Sequence, residues 1–414
     1  MSFVARRLAA FLTAIILLGA CGSSVLAQKK YDTGVTDTEI KIGNIIPYSG
    51  PASAYSIIGK TKSAYFRMVN DNGGVNGRKI NFISYDDGFS PPKTVEQARK
   101  LVESDEVFLI FAAIGTPTNA AIQKYMNAKR VPQLFVLSGA SRWGDPEHFP
   151  WTIGWQATYR AEARIYAAYI MGHYPTAKIG VLYQNDDFGK DYLLGLKDVL
   201  RDRYDKMIIA TAPYEVGMPT VDSQVVAIKS ANPDIFINIA GPKFAAQAIR
   251  KLAELNWHPV HILANVSTSV GAVLTPAGLE NAKGILSAHN LMDVTDPQWD
   301  SYPGMQRFRA FMAKYYPAAD ISDGLTLAAY SVSTGLIEVL KRCGDDLTRE
   351  NVMKVVADLD FVIDTYRPGV SVKTSPTDFY PIEQLRMVRF TGKNWEGFGP
   401  IIDGHFDQVS LSSN

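Results

Sequence analysis

From residue 40 to residue 263 the chain alternates between short apolar runs and longer stretches with apolar residues on one helical face. Runs at 40–46, 79–87, 107–114 and 133–138 read as strands, because brief apolar runs bounded by turn residues suit a sheet covered on both faces. Helical periodicity fills the intervals 54–72 and 92–104, where Val95, Ala98 and Val102 share a face, and resumes after Thr116. Past a break near 151–156 the order returns. Strands are expected at 178–184, 207–212, 235–240 and 260–263, with helices at 160–174, 189–200, 221–230 and 243–255. Strict alternation means a parallel sheet with helices on both faces. The pattern therefore predicts an α/β fold of two doubly wound parallel-sheet units in series. The last third holds a strand at 284–288, helices at 305–316, 325–342 and 348–359, and a hairpin, 384–390 with 395–398. These pieces are expected to complete both units. The chain would then cross between them near 153–157, 286–290 and 365–371, giving lobes of 38–154 plus 288–365 and of 155–287 plus 366–402.

One stretch stands out. Residues 107–114 read as a buried strand, Gly115 as its sharp exit, Thr116 as a helix cap and Pro117 as the first helical residue. Such a helix start would sit at the carboxyl edge of the sheet, where open α/β sheets bind ligands and free N–H groups favour anions. An ordinary strand–helix connection fits the same residues.

Composition narrows the class. At 414 residues the chain is too long for one typical domain, and 47% hydrophobic with 20% charged residues is ordinary for a globular protein. Residues 1–27 read as a signal peptide, with Arg6 and Arg7 before an apolar segment and Val25-Leu26-Ala27 as the cleavage site. Periplasmic export follows from that reading. A lipobox-like Leu18-Gly19-Ala20-Cys21 offers the alternative of a lipid anchor through Cys21; simple cleavage is preferred, because Gly19 is less usual there. The whole chain carries +1, and removing Arg6 and Arg7 with the leader brings it to −1, so there is no electrostatic footprint for nucleic acid. Cleavage leaves Cys343 alone, without a disulfide partner and expected to be a buried thiol.

Searching for chemistry returns mostly absences. The sequence holds no G-x-S-x-G, H-E-x-x-H or C-x-x-C. His258 and His261 flank Pro259 at a strand entrance, where their spacing carries little metal-binding information. Asp86-Asp87 and Asp186-Asp187 follow strands, where capping explains them better than acid–base work. No cofactor, metal or enzymatic activity is expected.

Two similar lobes, an export signal and no catalytic set suggest a protein that closes on a ligand by hinge motion. Several motifs resemble one family. They are 44–59 (NIIPYSGPASAYSIIG), 71–78 (DNGGVNGR), Tyr85-Asp86-Asp87, 184–189 (QNDDFG) and 375–382 (SPTDFYPI). Together they make 38–402 similar to type I periplasmic binding proteins of the leucine/isoleucine/valine-binding branch. The resemblance implies the Venus-flytrap arrangement, two lobes joined by a three-stranded hinge. It also implies a monomer that hands a small molecule to the permease of an ABC transporter. Carried over by position, Ser49 and Tyr55 would lie in the first ligand loop, and Gly115 and Thr116 in the carboxylate-binding turn. Ala140 and Ser141 would add contacts, and Phe188, Pro242, Asn265, Val266 and Ser267 would close from lobe two. Trp143, Trp155, Tyr159 and Lys243 fit either the cleft or hinge packing and solvent.

Two departures bear on the ligand. Amino-acid-binding members carry an acidic residue where this chain has Leu263-Ala264-Asn265-Val266-Ser267, and often a tyrosine where it has Gly241-Pro242-Lys243. Without a counter-charge a buried ammonium is poorly paired, at a cost of several kcal/mol. The expected ligand is therefore an aromatic or aliphatic carboxylate. Branched-chain amino acid or amide binding is the alternative, and a secreted hydrolase of small carboxylates is the alternative of a different class.

Overall fold

The computed structural model describes residues 29–404. The leader expected at 1–27, with Cys21, lies outside them. Five parallel strands form the first sheet: β1 (Glu39–Ile46), β2 (Lys79–Asp86), β3 (Leu109–Phe111), β4 (Gln133–Val136) and β5 (Thr152–Gly154), in the order β2-β1-β3-β4-β5. Helix α1 (Ser56–Asp71) buries Ile58, Ala64, Tyr65 and Phe66 on one face. On the other, Ala98 of α2 (Pro91–Arg99) and Ile122 and Met126 of α3 (Thr116–Lys129) pack on Ile45, Val107 and Ile110. Strands buried on both sides explain why these runs are continuously apolar.

The second sheet joins β6 (Ile179–Gln184), β7 (Ile208–Tyr214), β8 (Ile235–Ile239), β9 (Val260–Leu263) and β10 (Leu286–His289) to the hairpin of β11 (Gln384–Phe390) and β12 (Trp395–Asp403). Its order is β12-β11-β10-β9-β8-β6-β7, parallel through β10 and antiparallel in the hairpin. Helices α4 (Tyr159–His173), α5 (Asp187–Leu200), α6 (Asp222–Ser230) and α7 (Pro242–Glu254) accompany it. Of the late helices, α8 (Pro303–Tyr315) and α9 (Leu325–Cys343) return to the first lobe. There Tyr65 of α1 meets the rings of Phe311 and Tyr330, at 5.8 and 5.2 Å. Cys343 is buried, and burial pushes its thiol up to about 12.

Three chain segments pass between the lobes, and the second and third run side by side. Trp155 donates its N–H to the Val136 carbonyl at 3.2 Å, Met292 to Thr365 at 3.1 Å and Arg367 to Asn290 at 2.9 Å. Leu291 and Tyr366 pair as an antiparallel bridge. The order of strands reverses between β1 and β3 in one lobe and between β6 and β8 in the other. Those two switch points face the space between the lobes.

Two local expectations are corrected. The strand expected over 107–114 is regular only over Leu109–Phe111, because Ala112 turns left-handed with φ of 48°. The buried side chains of Lys62 and Asn44 capture its carbonyl, Lys62 Nζ at 2.7 Å and Asn44 Nδ2 at 3.2 Å. Burial also holds the Lys62 ammonium well below its usual range. Thr116, expected as the cap, is the first residue of α3, and Gly115 takes the cap position with φ of 100°. That backbone region is open to glycine and strained for other residues.

Candidate functional site

A cavity of about 80 Å³ lies between the two switch points. Tyr55, Gly115 and Thr116 line it from the first lobe, and Phe188, Pro242 and Val266 from the second. Of the other five expected positions, Asn265 lines an adjoining cavity, and Ser49, Ala140, Ser141 and Ser267 line neither. Ser49 faces Asp86, donating Oγ to Oδ2 at 2.5 Å and N–H to Oδ1 at 3.1 Å. Tyr48 and Gly88 add their N–H groups to the same carboxylate. Burial pushes the Asp86 carboxyl up, but these hydrogen bonds together hold it below its usual range. Ser49 therefore fastens the loop that carries Tyr55. Ala140 is buried outside the cavity. Ser141 gives its N–H to Asp191 of α5 at 2.6 Å and its hydroxyl at 3.0 Å, a bond between lobes beside the Arg142–Asp187 ion pair at 2.8 Å. Asn265 donates its N–H to Glu162 at 2.8 Å, and the buried Ser267 hydroxyl reaches the Ala240 carbonyl at 2.6 Å.

The carboxylate pairs noted in the sequence serve the scaffold. Asp87 accepts from Thr94 Oγ1 at 2.7 Å and Phe89 N at 2.9 Å. Asp186 caps α5 through the Phe188 N–H at 2.9 Å. His261 is buried with its Nε2 unpartnered, and burial lowers it to about 3. Among the described residues no group of three or more His, Cys, Asp or Glu could hold a metal ion.

The polar end of the cavity has a definite proton order. Ser138 Oγ accepts from Trp143 Nε1 at 3.0 Å and from Ala140 N at 3.3 Å. A hydroxyl has two lone pairs and one proton. With both lone pairs engaged, Ser138 must donate to Thr116 Oγ1, 2.7 Å away. The Thr116 proton is then free of Ser138 and faces the Tyr159 phenol and the cavity. The Gly115 N–H, by contrast, is engaged by the Leu137 carbonyl at 3.2 Å. Thr116 and Thr118 therefore keep the amides at the start of α3 that lack an intrahelical acceptor. Tyr159 closes this end, its ring 4.7 Å from that of Phe188. Burial pushes its phenol up to about 12, against the pull of Gly139, Ser138 and Thr116.

Most of the remaining lining is apolar. Phe89, Leu137 and Phe244 line it, with Leu325 and Ala328 of α9. Of the residues left open by the sequence, Tyr159 and Lys243 line this cavity, Trp155 lines an adjoining one, and Trp143 is buried behind Ser138. Lys243 is exposed, with Nζ 4.8 Å from the Phe244 ring centroid. It is the only charged side chain in the lining, and no acidic one lines the cavity among the described residues. Phe89 and Gln184 fall inside or beside the motifs quoted above; Leu325 and Ala328 had no signal, since α9 lies two hundred residues down the chain.

Two α/β lobes, three crossings and a cavity between facing switch points define a hinged ligand-binding protein. A family model described as periplasmic binding protein matches residues 39–394. The chain belongs to the periplasmic binding proteins, of the leucine/isoleucine/valine-binding kind. It is 24% identical over 324 residues to Leu/Ile/Val-binding protein homolog 1 of Brucella suis, covering 75% of this chain and 81% of that one. Among solved structures, a branched-chain amino acid ABC transporter protein from Thermus thermophilus with bound valine is similar at a TM-score of 0.80 and 15% identity, over 90% of this chain and 98% of that one. An ABC transporter solute-binding protein from R. palustris in complex with benzoate is similar at 0.74 and 18%, over 88% and 98%. The family consists of binding proteins of transport systems, which places its members outside the cytoplasm. No helix among the described residues is long and apolar enough to cross a membrane.

Proposed function

We infer that this chain is the solute-binding component of an ABC importer and that it captures a small aromatic or aliphatic carboxylate. One observation carries the ligand class: the cavity offers the Thr116 hydroxyl proton at the start of α3 and has no acidic side chain in its lining. A carboxylate finds donors there, strengthened by the positive end of the helix. An α-ammonium beside that carboxylate finds no acidic side chain in the lining of this cavity among the described residues, and leaving it unpaired costs several kcal/mol. The benzoate-bound neighbour is consistent with this choice, whereas the valine-bound one represents the competing class. The lobes are read as 38–154 plus 288–365 and 155–287 plus 366–402, and the protein acts as a monomer that closes on its ligand and presents the closed form to the permease. Closure is driven by contacts the ligand makes only when both lobes touch it.

Calorimetric titration of the full chain with benzoate, straight-chain acids, leucine and valine tests the reading. Benzoate or an aliphatic acid is expected to bind at least tenfold more tightly than either amino acid. Tighter binding of leucine or valine would overturn it, and turnover of a bound acid would favour the hydrolase.

A further inference from the structure

A second cavity, of about 110 Å³, adjoins the first on the hinge side. The two share six lining residues, Leu137, Gln156, Tyr159, Val266, Leu325 and Ala328, so they are neighbouring parts of one space between the lobes. Their chemistry is opposite. The first has one cation and no acid in its lining. The second is lined by Glu162 and Asp293, with Asn265, Asn290, Ser269 and His289, and, among the described residues, by no lysine or arginine.

The acceptors of the hinge cavity differ in how far they are engaged. Asp293 is taken up by Thr295 and by the Trp395 N–H at 2.7 Å. Glu162, 3% exposed, accepts on Oε1 from Tyr166 and Asn265. His289 is 7% exposed, and its Nε2 meets no partner at all. Burial and the nearby Arg367 keep its ring neutral. A buried nitrogen without a partner costs about 1–3 kcal/mol, so a group that satisfies it gains that amount. With the ring proton on Nδ1, Nε2 is an acceptor, and an apolar or anionic tail in this space would leave it unpartnered and without a proton to accept. A hydroxyl or an amine would supply one.

Resting on the carboxylate reading above, we propose that the hinge cavity is a second subsite of the same cleft and receives a hydrogen-bond-donating group, a hydroxyl or an amine, at the end of the ligand remote from its carboxylate. The ligand lies with its anion at Thr116, its apolar middle between Phe188 and Leu137, and its donor against His289 and Glu162. It is thus a bifunctional acid.

The test is calorimetry on the full chain with paired probes: benzoate against 4-hydroxybenzoate and 4-aminobenzoate, and straight-chain acids of increasing length against their ω-hydroxy and ω-amino derivatives. In at least one set the donor-bearing acid is expected to bind about tenfold more tightly than its parent. The ratio is expected to fall towards one in His289→Leu and in Glu162→Gln. A gain for hydroxyl alone assigns the donor as a hydroxyl, and a larger gain for amine assigns an amine paired with Glu162. The subsite is overturned, with the carboxylate reading intact, if parent acids bind and no derivative binds more tightly, the cavity then holding water. It is overturned as well if the gain survives in both variants. Failure of every acid to bind sinks the carboxylate reading itself.

Discussion

The two walls of the cleft are built alike and behave differently. Each is a set of strand-to-helix turns at a point where the strand order reverses, a geometry that favours ligand binding. In the first lobe the turn at Gly115-Thr116 has a hydroxyl proton that Ser138 does not take, because Ser138 is saturated by Trp143 and Ala140. In the second lobe the polar atoms are engaged by the lobe itself. Gly241 gives its N–H to Tyr214 at 2.9 Å, Phe188 to Asp186, Asn265 to Glu162, and the Ser267 hydroxyl goes to Ala240. What this wall turns to the cavity is mainly Phe188, Pro242, Phe244, Val216 and Val266. In the cavity between the switch points, recognition of polar groups thus sits in one lobe, while the other adds apolar area, whose burial can drive closure without specifying the ligand.

The largest expected effect breaks the apolar side of this division. Phe188→Ala removes a ring packed against Tyr159 and Tyr192. Truncating a buried phenylalanine costs on the order of 3 kcal/mol, about a hundredfold in Kd. Calorimetry should show that loss for aromatic and aliphatic acids alike. A loss confined to one acid would mean that Phe188 selects the ligand and that the division between walls is wrong. Melting the variant without ligand separates weakened closure from weakened folding.

A second prediction concerns the carboxylate that holds the second wall. Burial pushes Glu162 up to about 7, with the hydrogen bonds from Tyr166 and Asn265 pulling the other way. The folded protein thus binds this proton more tightly than the unfolded chain. Its contribution to stability is full below pH ~4.5 and is lost as pH rises through about 7, by roughly 3 kcal/mol if the whole shift is realised. Glu162→Gln cannot ionise. Urea titrations at pH 5 and pH 8.5 should show the wild type losing stability relative to this variant by that order. His261 and His289 are present in both proteins and cancel. Identical pH dependence in the two would mean that Glu162 ionises freely in the fold.

Much of the frame was legible because it rests on local pattern. Alternating apolar runs and amphipathic stretches place the strands and helices; the motifs mark Tyr55 and Phe188, and the strand-to-helix turn marks Gly115 and Thr116, at the cavity. What stayed hidden depends on partners far along the chain. The break at Ala112 needs Lys62 and Asn44, fifty and more residues earlier. Ser49, Asn265 and Ser267 are polar residues in ligand-loop positions, and nothing in their identity says whether they face a ligand or their own scaffold. The acceptors that answer this, Asp86, Glu162 and Ala240, are distant in sequence for all three. The cap at Gly115 depends on a positive φ, which glycine permits but does not announce. Leu325 and Ala328 reach the cleft only because α9 folds back onto the first lobe.

The smallest predicted effect tests the polar side. If the proton order at Ser138 is right, Thr116→Ala removes the donor and leaves the Ser138 proton without its acceptor, at a cost of about 1–2 kcal/mol. Carboxylate affinity should fall about tenfold, while Thr116→Ser, which keeps the hydroxyl, should stay within about threefold of the wild type. The amide analogue of the same acid makes the comparison sharper. An amide carbonyl accepts the Thr116 proton without a charge, so it should bind less tightly than the acid to the wild type and lose less on Thr116→Ala, because hydrogen bonds to charged groups are the stronger ones. Equal losses for acid and amide would show that the hydroxyl supplies shape alone, and that the anion preference of this turn comes from the start of α3.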